Sequence, residues 1–216
     1  MSVAPAPRDA APPFDAAAFQ AETGASDAAV ADLERFRDLL ADWNQRMNLV
    51  GPSALADFWL RHAFDSAQLL PLAPEARVWV DLGAGAGFPG VVLAILLRDR
   101  PGAAVHLVES MAKRCRFLEA VVDALALPAR VRHARAEDLV IRCDVVAARA
   151  CAPLGRLFGY AWPYLRRGAV GLFLKGQDVA SELSEATISW RFEADLIDSR
   201  SQGGGRIVRV ERLEHV

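Results

Sequence analysis

The sequence predicts an α/β fold: a Rossmann-like, mostly parallel seven-stranded sheet with an antiparallel last strand, preceded by a helical N-terminal extension. Three observations carry this. An apolar run ending in Val78-Trp79-Val80-Asp81-Leu82 passes through glycines at alternate positions (Gly83, Gly85, Gly87) into Phe88-Pro89-Gly90 and the apolar run Val91-Val92-Leu93-Ala94-Ile95-Leu96-Leu97. That is a strand, a tight turn and a helix start. Further on, short apolar runs alternate with helical patterns, as βαβ crossovers require. Finally, Gln202-Gly203-Gly204-Gly205 divides two strand-like runs, which makes the last connection a hairpin.

The elements follow in order. Residues 1–25 are rich in Ala and Pro and read as a flexible segment up to about Phe14, with room for a short helix after it. From Asp27 onward, Val30, Leu33, Phe36, Leu40, Trp43 and Met47 recur at helical spacing, with Asp27 as the N-cap. Gly51-Pro52-Ser53 breaks that helix, and Ser53 can cap a second helical segment through Leu70. Pro71 and Pro74 close this extension, residues 26–74, ahead of the sheet domain at 75–216. Strands are expected near 77–82, 104–109, 130–134, 144–149 and 168–174, with helices near 88–98, 111–126, 153–165 and 177–187. Strands at 189–198 and 205–213 flank the glycine turn. There is no internal repeat.

Composition narrows the function. A chain of 216 residues can bury a substantial single core. Cys115, Cys143 and Cys151 lack paired spacing, which argues against a disulfide framework or a metal site. The opening MSVAPAPRDAAPP has no basic start followed by an apolar core, and no apolar run reaches the length of a membrane span. A cytoplasmic monomer without membrane contact is the expectation. The net charge of −2 hides an asymmetry. Residues 98–175 carry 14 basic and 7 acidic side chains, whereas residues 1–97 carry 6 and 12. A local basic face suits phosphate even in an acidic chain, although a solvated arginine-rich surface has the same composition. Against 23 arginines there are two lysines, Lys113 and Lys175, and a compact ammonium is not equivalent to a guanidinium fork.

The glycine turn brings bare backbone amides up to a ligand, and two frames compete for it. Gly85, Gly87 and Gly90 fit a dinucleotide spacing, with Glu109 about 20 residues on for a ribose, as a nicotinamide-dependent reductase would have. The other frame is Asp81-x-Gly83-x-Gly85-x-Gly87, with a carboxylate at the strand end. It resembles the first motif of the class I S-adenosylmethionine (SAM) methyltransferases, and a carboxylate there repels pyrophosphate but suits a cationic cofactor. Glu109 ends the second strand, where it can accept hydrogen bonds from ribose hydroxyls or cap the next helix. Ala136-Glu137-Asp138 follow the third strand, near an adenine, and Arg149 ends the fourth.

Beyond these motifs, the chain resembles the bacterial small-subunit rRNA guanine-N7 methyltransferases, the glucose-inhibited division protein B family. The likeness runs from Trp43-Asn44-Gln45-Arg46-Met47-Asn48-Leu49 to the last hairpin. It includes Arg61-His62-Ala63-Phe64-Asp65-Ser66, the Asp81–Gly90 stretch, Lys113-Arg114-Cys115-Arg116-Phe117-Leu118, Ala148-Arg149-Ala150 and Leu174-Lys175-Gly176. The resemblance implies SAM as methyl donor, bound by Asp81, Gly83, Gly85, Gly87, Phe88, Glu109, Ala136, Glu137 and Arg149. It implies 16S rRNA or a small-subunit particle as partner, with one guanine methylated at N7 (position 527 in the usual rRNA numbering). Arg149 and Lys175 would be the catalytic side chains. His62, Asp65, Lys113, Arg114, Arg116 and Lys175 would contact substrate. Helix packing for His62 and Asp65, and a solvated helix face for Lys113, Arg114 and Arg116, are the plainer alternatives. N7 is an exposed lone pair and needs no general base, and the chain lacks an Asn/Asp-Pro-Pro-aromatic amine motif. A non-catalytic ribosome-binding module remains the third reading.

Overall fold

The computed structural model describes residues 14–51, 55–201 and 203–216. The expected Ser53 cap, the Pro52 break and the first residue of the glycine turn, Gln202, lie outside the described residues. Seven strands, β1 (Val78–Leu82), β2 (Ala104–Glu109), β3 (Ala129–His133), β4 (Val145–Arg149), β5 (Val170–Lys175), β6 (Trp190–Asp198) and β7 (Arg206–His215), form one sheet in the order β3-β2-β1-β4-β5-β7-β6. The first five run parallel, and β7 is antiparallel to both β5 and β6. The order reverses between β1 and β4, so the carboxyl ends of those two strands flank the crevice where such sheets take ligands.

Both faces are covered at the middle of the sheet, which is why β1, β4 and β5 are apolar up to the charged residue at or near their carboxyl ends, Asp81, Arg149 and Lys175. On one face lie α4 (Gly90–Leu96), α5 (Ala112–Ala124) and the extension; on the other lie α6 (Leu154–Leu165) and α7 (Val179–Ala186). Trp79, Val105, Leu107, Ala147 and Leu172 face the first layer, while Val80, Val108, Val146 and Phe173 face the second, as strand alternation dictates. No helix among the described residues is long and apolar enough to cross a membrane.

The extension agrees with its sequence reading at one point and differs at two, while the flexible reading of residues 1–13 lies outside the described residues. First, the short helix allowed after Phe14 is Ala16–Thr23 (α1), capped by the Asp15 carboxylate, which accepts from the Ala18 amide at 3.0 Å, and Phe19 is buried. Second, the helix Asp27–Met47 (α2) is capped by Ser26 rather than Asp27: the Ser26 hydroxyl accepts from the Ala29 amide at 3.2 Å, and Asp27 is the first helical residue, where its charge suits the dipole. Third, the second helix is not uniform. It is π-helical over Phe58–Phe64, α-helical over Asp65–Ala67 (α3) and ends in a 3-10 turn at Leu70–Leu72. Phe58, Trp59, Ala63 and Phe64 are the buried positions of the π segment, a spacing of five that a 3.6-residue template does not register.

α2 lays Leu33, Phe36 and Leu40 against the sheet-bound helices. Its buried Asp32 makes ion pairs with Arg98, beyond α4, and with Arg35, whose other guanidinium nitrogen donates to the Ala124 carbonyl at the end of α5. Extension and sheet thereby share one core.

Candidate functional site

At the end of β1 the Asp81 carboxylate is buried, and its Oδ2 accepts from the Gly90 amide at 2.8 Å. This contact is possible because residue 90 is glycine: a Cβ there would lie 2.6 Å from that oxygen and 2.2 Å from Leu107. Asp81 Oδ1 has no partner within the described protein. Burial pushes its pKa up to about 7; the Gly90 bond and the charge of Arg149 pull it back, and Glu109 pushes further. The turn then needs left-handed backbone at Gly83 (φ 73°), where a Cβ would also meet the Cys151 sulfur at 2.8 Å.

Glu109, at the end of β2, is buried as well, and each carboxylate oxygen holds one amide. Oε2 accepts from Gly85 at 3.0 Å and Oε1 from Met111 at 2.8 Å, with Arg114 at 3.9 Å. The capping reading is met: Glu109 pins the turn and the start of α5, and its carboxylate keeps further lone pairs. The Asp81–Gly90 bond also bears on the competing dinucleotide frame, because it places a carboxylate beside the turn where a pyrophosphate would have to approach.

The third component comes from β4 and the π segment. Arg149 Nη1 donates to the Arg61 carbonyl at 2.9 Å and to His62 Nδ1 at 2.7 Å, and its guanidinium carbon lies 4.9 Å from the centroid of the Phe88 ring. Burial lowers the Arg149 pKa, while Asp65 and Asp81 raise it. Burial, with Arg149 and Arg61 close by, lowers His62 to about 4, so the imidazole is neutral and Nδ1 is free to accept. The His62 ring stacks on Phe88 with centroids 4.8 Å apart. Phe88 itself packs on Phe36 and Phe58, which makes it a joint between turn and extension.

Beside this cluster a cavity of about 460 Å³ opens at the ends of β4 and β5. His62, Asp65, Arg149 and Lys175 line it, together with residues the sequence reading did not select, among them Arg61, Ser199, Ser201 and Arg206. Asp65 Oδ1 accepts from the Ser199 and Ser201 hydroxyls, both at 2.6 Å, which ties the extension to the β6–β7 turn. A serine-containing turn followed by glycines was the available signal, but nothing local assigns it a partner more than 130 residues away. Lys175 is not a free cation: it pairs with Glu182 at 2.6 Å and donates to the Ala152 carbonyl at 3.1 Å. Lys113 and Arg116 sit exposed in the first turn of α5 and Arg114 is half-buried there; none of the three lines the cavity. Ala136 and Glu137 follow β3, and Glu137 is exposed and paired with Arg135. Burial and nearby carboxylates raise the Cys151 thiol, so it is no ready nucleophile. Among the described residues no cluster of potential metal ligands occurs.

Strand order, the acidic strand end leading into a glycine turn, and the second carboxylate on β2 define a class I SAM-dependent methyltransferase fold. A solved structure of a mutant of MtNAS in complex with S-adenosylmethionine shares it, with a TM-score of 0.56 and 15% identity, covering 91% of this chain and 83% of that one. The GidB family model, rRNA small subunit methyltransferase G, matches residues 29–202, and the chain belongs to that family. Its relatives include ribosomal RNA small subunit methyltransferase G of Caulobacter vibrioides (strain NA1000 / CB15N), 65% identical over 94% of both chains. The protein of the same name from Caulobacter sp. (strain K31) is 60% identical over 94% of this chain and 92% of its own. That of Bradyrhizobium sp. (strain BTAi1 / ATCC BAA-1182) is 48% identical over 93% and 92%.

Proposed function

We propose that this protein transfers the methyl group of SAM to N7 of one guanine in 16S rRNA, at position 527 in the usual numbering. The observation that carries the reading is the meeting, at the ends of β1 and β4, of a cofactor turn and a polar cavity joined by one side chain, Arg149. The residues present fit the cofactor. Glu109 supplies a buried carboxylate for a ribose, and Asp81 a second one whose Oδ1 is unpartnered and can face a cation. SAM, when bound, supplies an electrophilic methyl on a sulfonium. Gly83, Gly85, Gly87, Phe88, Ala136 and Glu137 complete its surroundings.

The chain's own contribution is positioning. Guanine N7 carries a free lone pair near neutral pH, so no side chain has to remove a proton before transfer. What is needed is an in-line approach at about 3–3.5 Å with water excluded. The cavity beside Arg149, floored by the neutral His62 and by Asp65, is where a base would be held. Arg149 can pair with the cofactor carboxylate or with guanine O6. Lys175 acts through its ion pair with Glu182, which fixes the loop after β4 by accepting from the Leu154 amide. Lys113, Arg114 and Arg116, outside the cavity, would meet RNA phosphate, a reading that their charge and the exposure of Lys113 and Arg116 support.

Nucleoside mass spectrometry tests the whole reading. Incubation with SAM and small-subunit particles lacking the modification should yield N7-methylguanosine at a single rRNA position. Methylation of another atom or another RNA would overturn the substrate assignment while leaving the cofactor in place.

A further inference from the structure

The two faces of the sheet are not covered equally. The crossover from β3 to β4, residues 134–144, contains no helix, and α6 and α7 lie over β4, β5 and β7. On that side the buried apolar layer stops at Val108 of β2, and β3 contributes no buried residue to it. Strand alternation and the β2–β3 register place the buried His106, the half-buried Arg132 and the exposed Arg130 together on this helix-free strip, with Arg130 directly opposite His106 and Arg132 opposite Val108. Arg132 Nε donates to His106 Nδ1 at 3.3 Å, and among the described residues no carboxylate lies within ion-pair distance of Arg130 or Arg132. Burial and the two guanidinium charges lower the His106 pKa, so the imidazole stays a neutral acceptor that orients Arg132.

Two like charges held side by side without a counter-charge form an arrangement that a polyanion relieves. We propose that Arg130, Arg132 and the His106 that holds Arg132 form a docking strip for the phosphate backbone of the substrate RNA, outside the cavity where the base reacts. The proposal rests on the rRNA reading above and adds a second point of attachment to it. Charged residues on an edge strand also discourage strand pairing between molecules, so the test separates the two roles.

The double variant Arg130→Ser/Arg132→Ser is compared with the unmodified chain and with Arg191→Ser, an exposed arginine on the opposite edge strand β6. Binding to small-subunit particles lacking the modification is titrated between about 0.05 and 0.3 M salt, alongside SAM affinity and thermal unfolding. The double variant should fold and bind SAM as the unmodified chain does. Its affinity for particles should fall on the order of tenfold or more, with the log K–log salt slope shallower by about 2, while Arg191→Ser leaves both unchanged. Unchanged particle affinity in the double variant, with methylation intact, overturns the strip and leaves the function standing; so does an equal loss in the Arg191 control. Aggregation with unchanged particle affinity reduces the arginines to edge protection. An unmodified chain that neither binds nor methylates particles overturns the rRNA reading, and the strip with it.

Discussion

At the scale of single residues, the site is organised by two buried carboxylates with different tasks. Glu109 accepts a backbone amide with each of its two oxygens. Replacing it by Ala should weaken SAM by about 1.5–3 kcal/mol and also loosen the start of α5. Isothermal titration measures the first effect, and amide exchange at Gly85 and Met111 the second. If exchange rises while SAM affinity is unchanged, Glu109 is a capping residue only. Asp81 is different, because its pKa lies near 7 in the folded chain and near 3.8 when unfolded. Between those values the folded state holds a proton that the unfolded state has lost. Ligand-free stability attributable to Asp81 is therefore complete below about pH 4 and is lost as pH rises through 7. Chemical denaturation at several pH values should show Asp81→Asn flattening that decline. The same ionisation should favour a sulfonium, so SAM affinity should rise as pH passes 7 more steeply than that of S-adenosylhomocysteine, whose sulfur is neutral. Parallel slopes for the two ligands would remove Asp81 from the sulfonium's neighbourhood.

At the scale of elements, β1, β2, β4 and β5 were legible because each is a local, mainly apolar run of strand length, whereas β3 alternates Arg130 and Arg132 with Val131. The ends of β1, β2 and β4, at Leu82, Glu109 and Arg149, agree with the expected positions to the residue, and β5 ends at Lys175, one residue past the expected 174. The π segment was not legible. A period of five falls between templates, and it is this wider turn that presents the Arg61 carbonyl and His62 Nδ1 together to Arg149. Lys175 shows another limit: its strand and position are evident from sequence, its partner Glu182 is not. Lys175→Met leaves a largely buried carboxylate without its cation. We expect a loss of about 1–3 kcal/mol in stability, less than for a fully enclosed pair because Glu182 keeps some access to water. A fall in turnover with unchanged stability would instead give Lys175 a direct contact with substrate.

At the scale of the whole molecule, the segmental count of charge has structural meaning that the net value of −2 lacks. The basic residues of 98–175 include the first turn of α5, the outer strip of β3 and Arg149 in the cavity wall. If four to six of these neutralise phosphates, log K for rRNA should fall with log salt at a slope of about −3 to −5. A flat salt response would place the RNA elsewhere. The larger cavity, about 650 Å³ between the extension and the ends of α4 and β6, contains none of the cofactor or base-binding side chains proposed above, so size alone does not locate the chemistry.

The sequence by itself determined the order of strands and helices, the glycine turn with its acidic strand end, and hence the fold class and cofactor class. These are local facts, set by side-chain period and by which residues tolerate left-handed backbone. Only the tertiary structure decided the partners: Asp32 with Arg98, Asp65 with Ser199 and Ser201, Lys175 with Glu182, His62 with Arg149. It also decided that Phe88 packs on the extension as well as beside the site. The physical reason is that a buried charge must find a counter-group wherever the fold brings one. Between His62 and Arg149 that distance along the chain is 87 residues, far outside any local pattern.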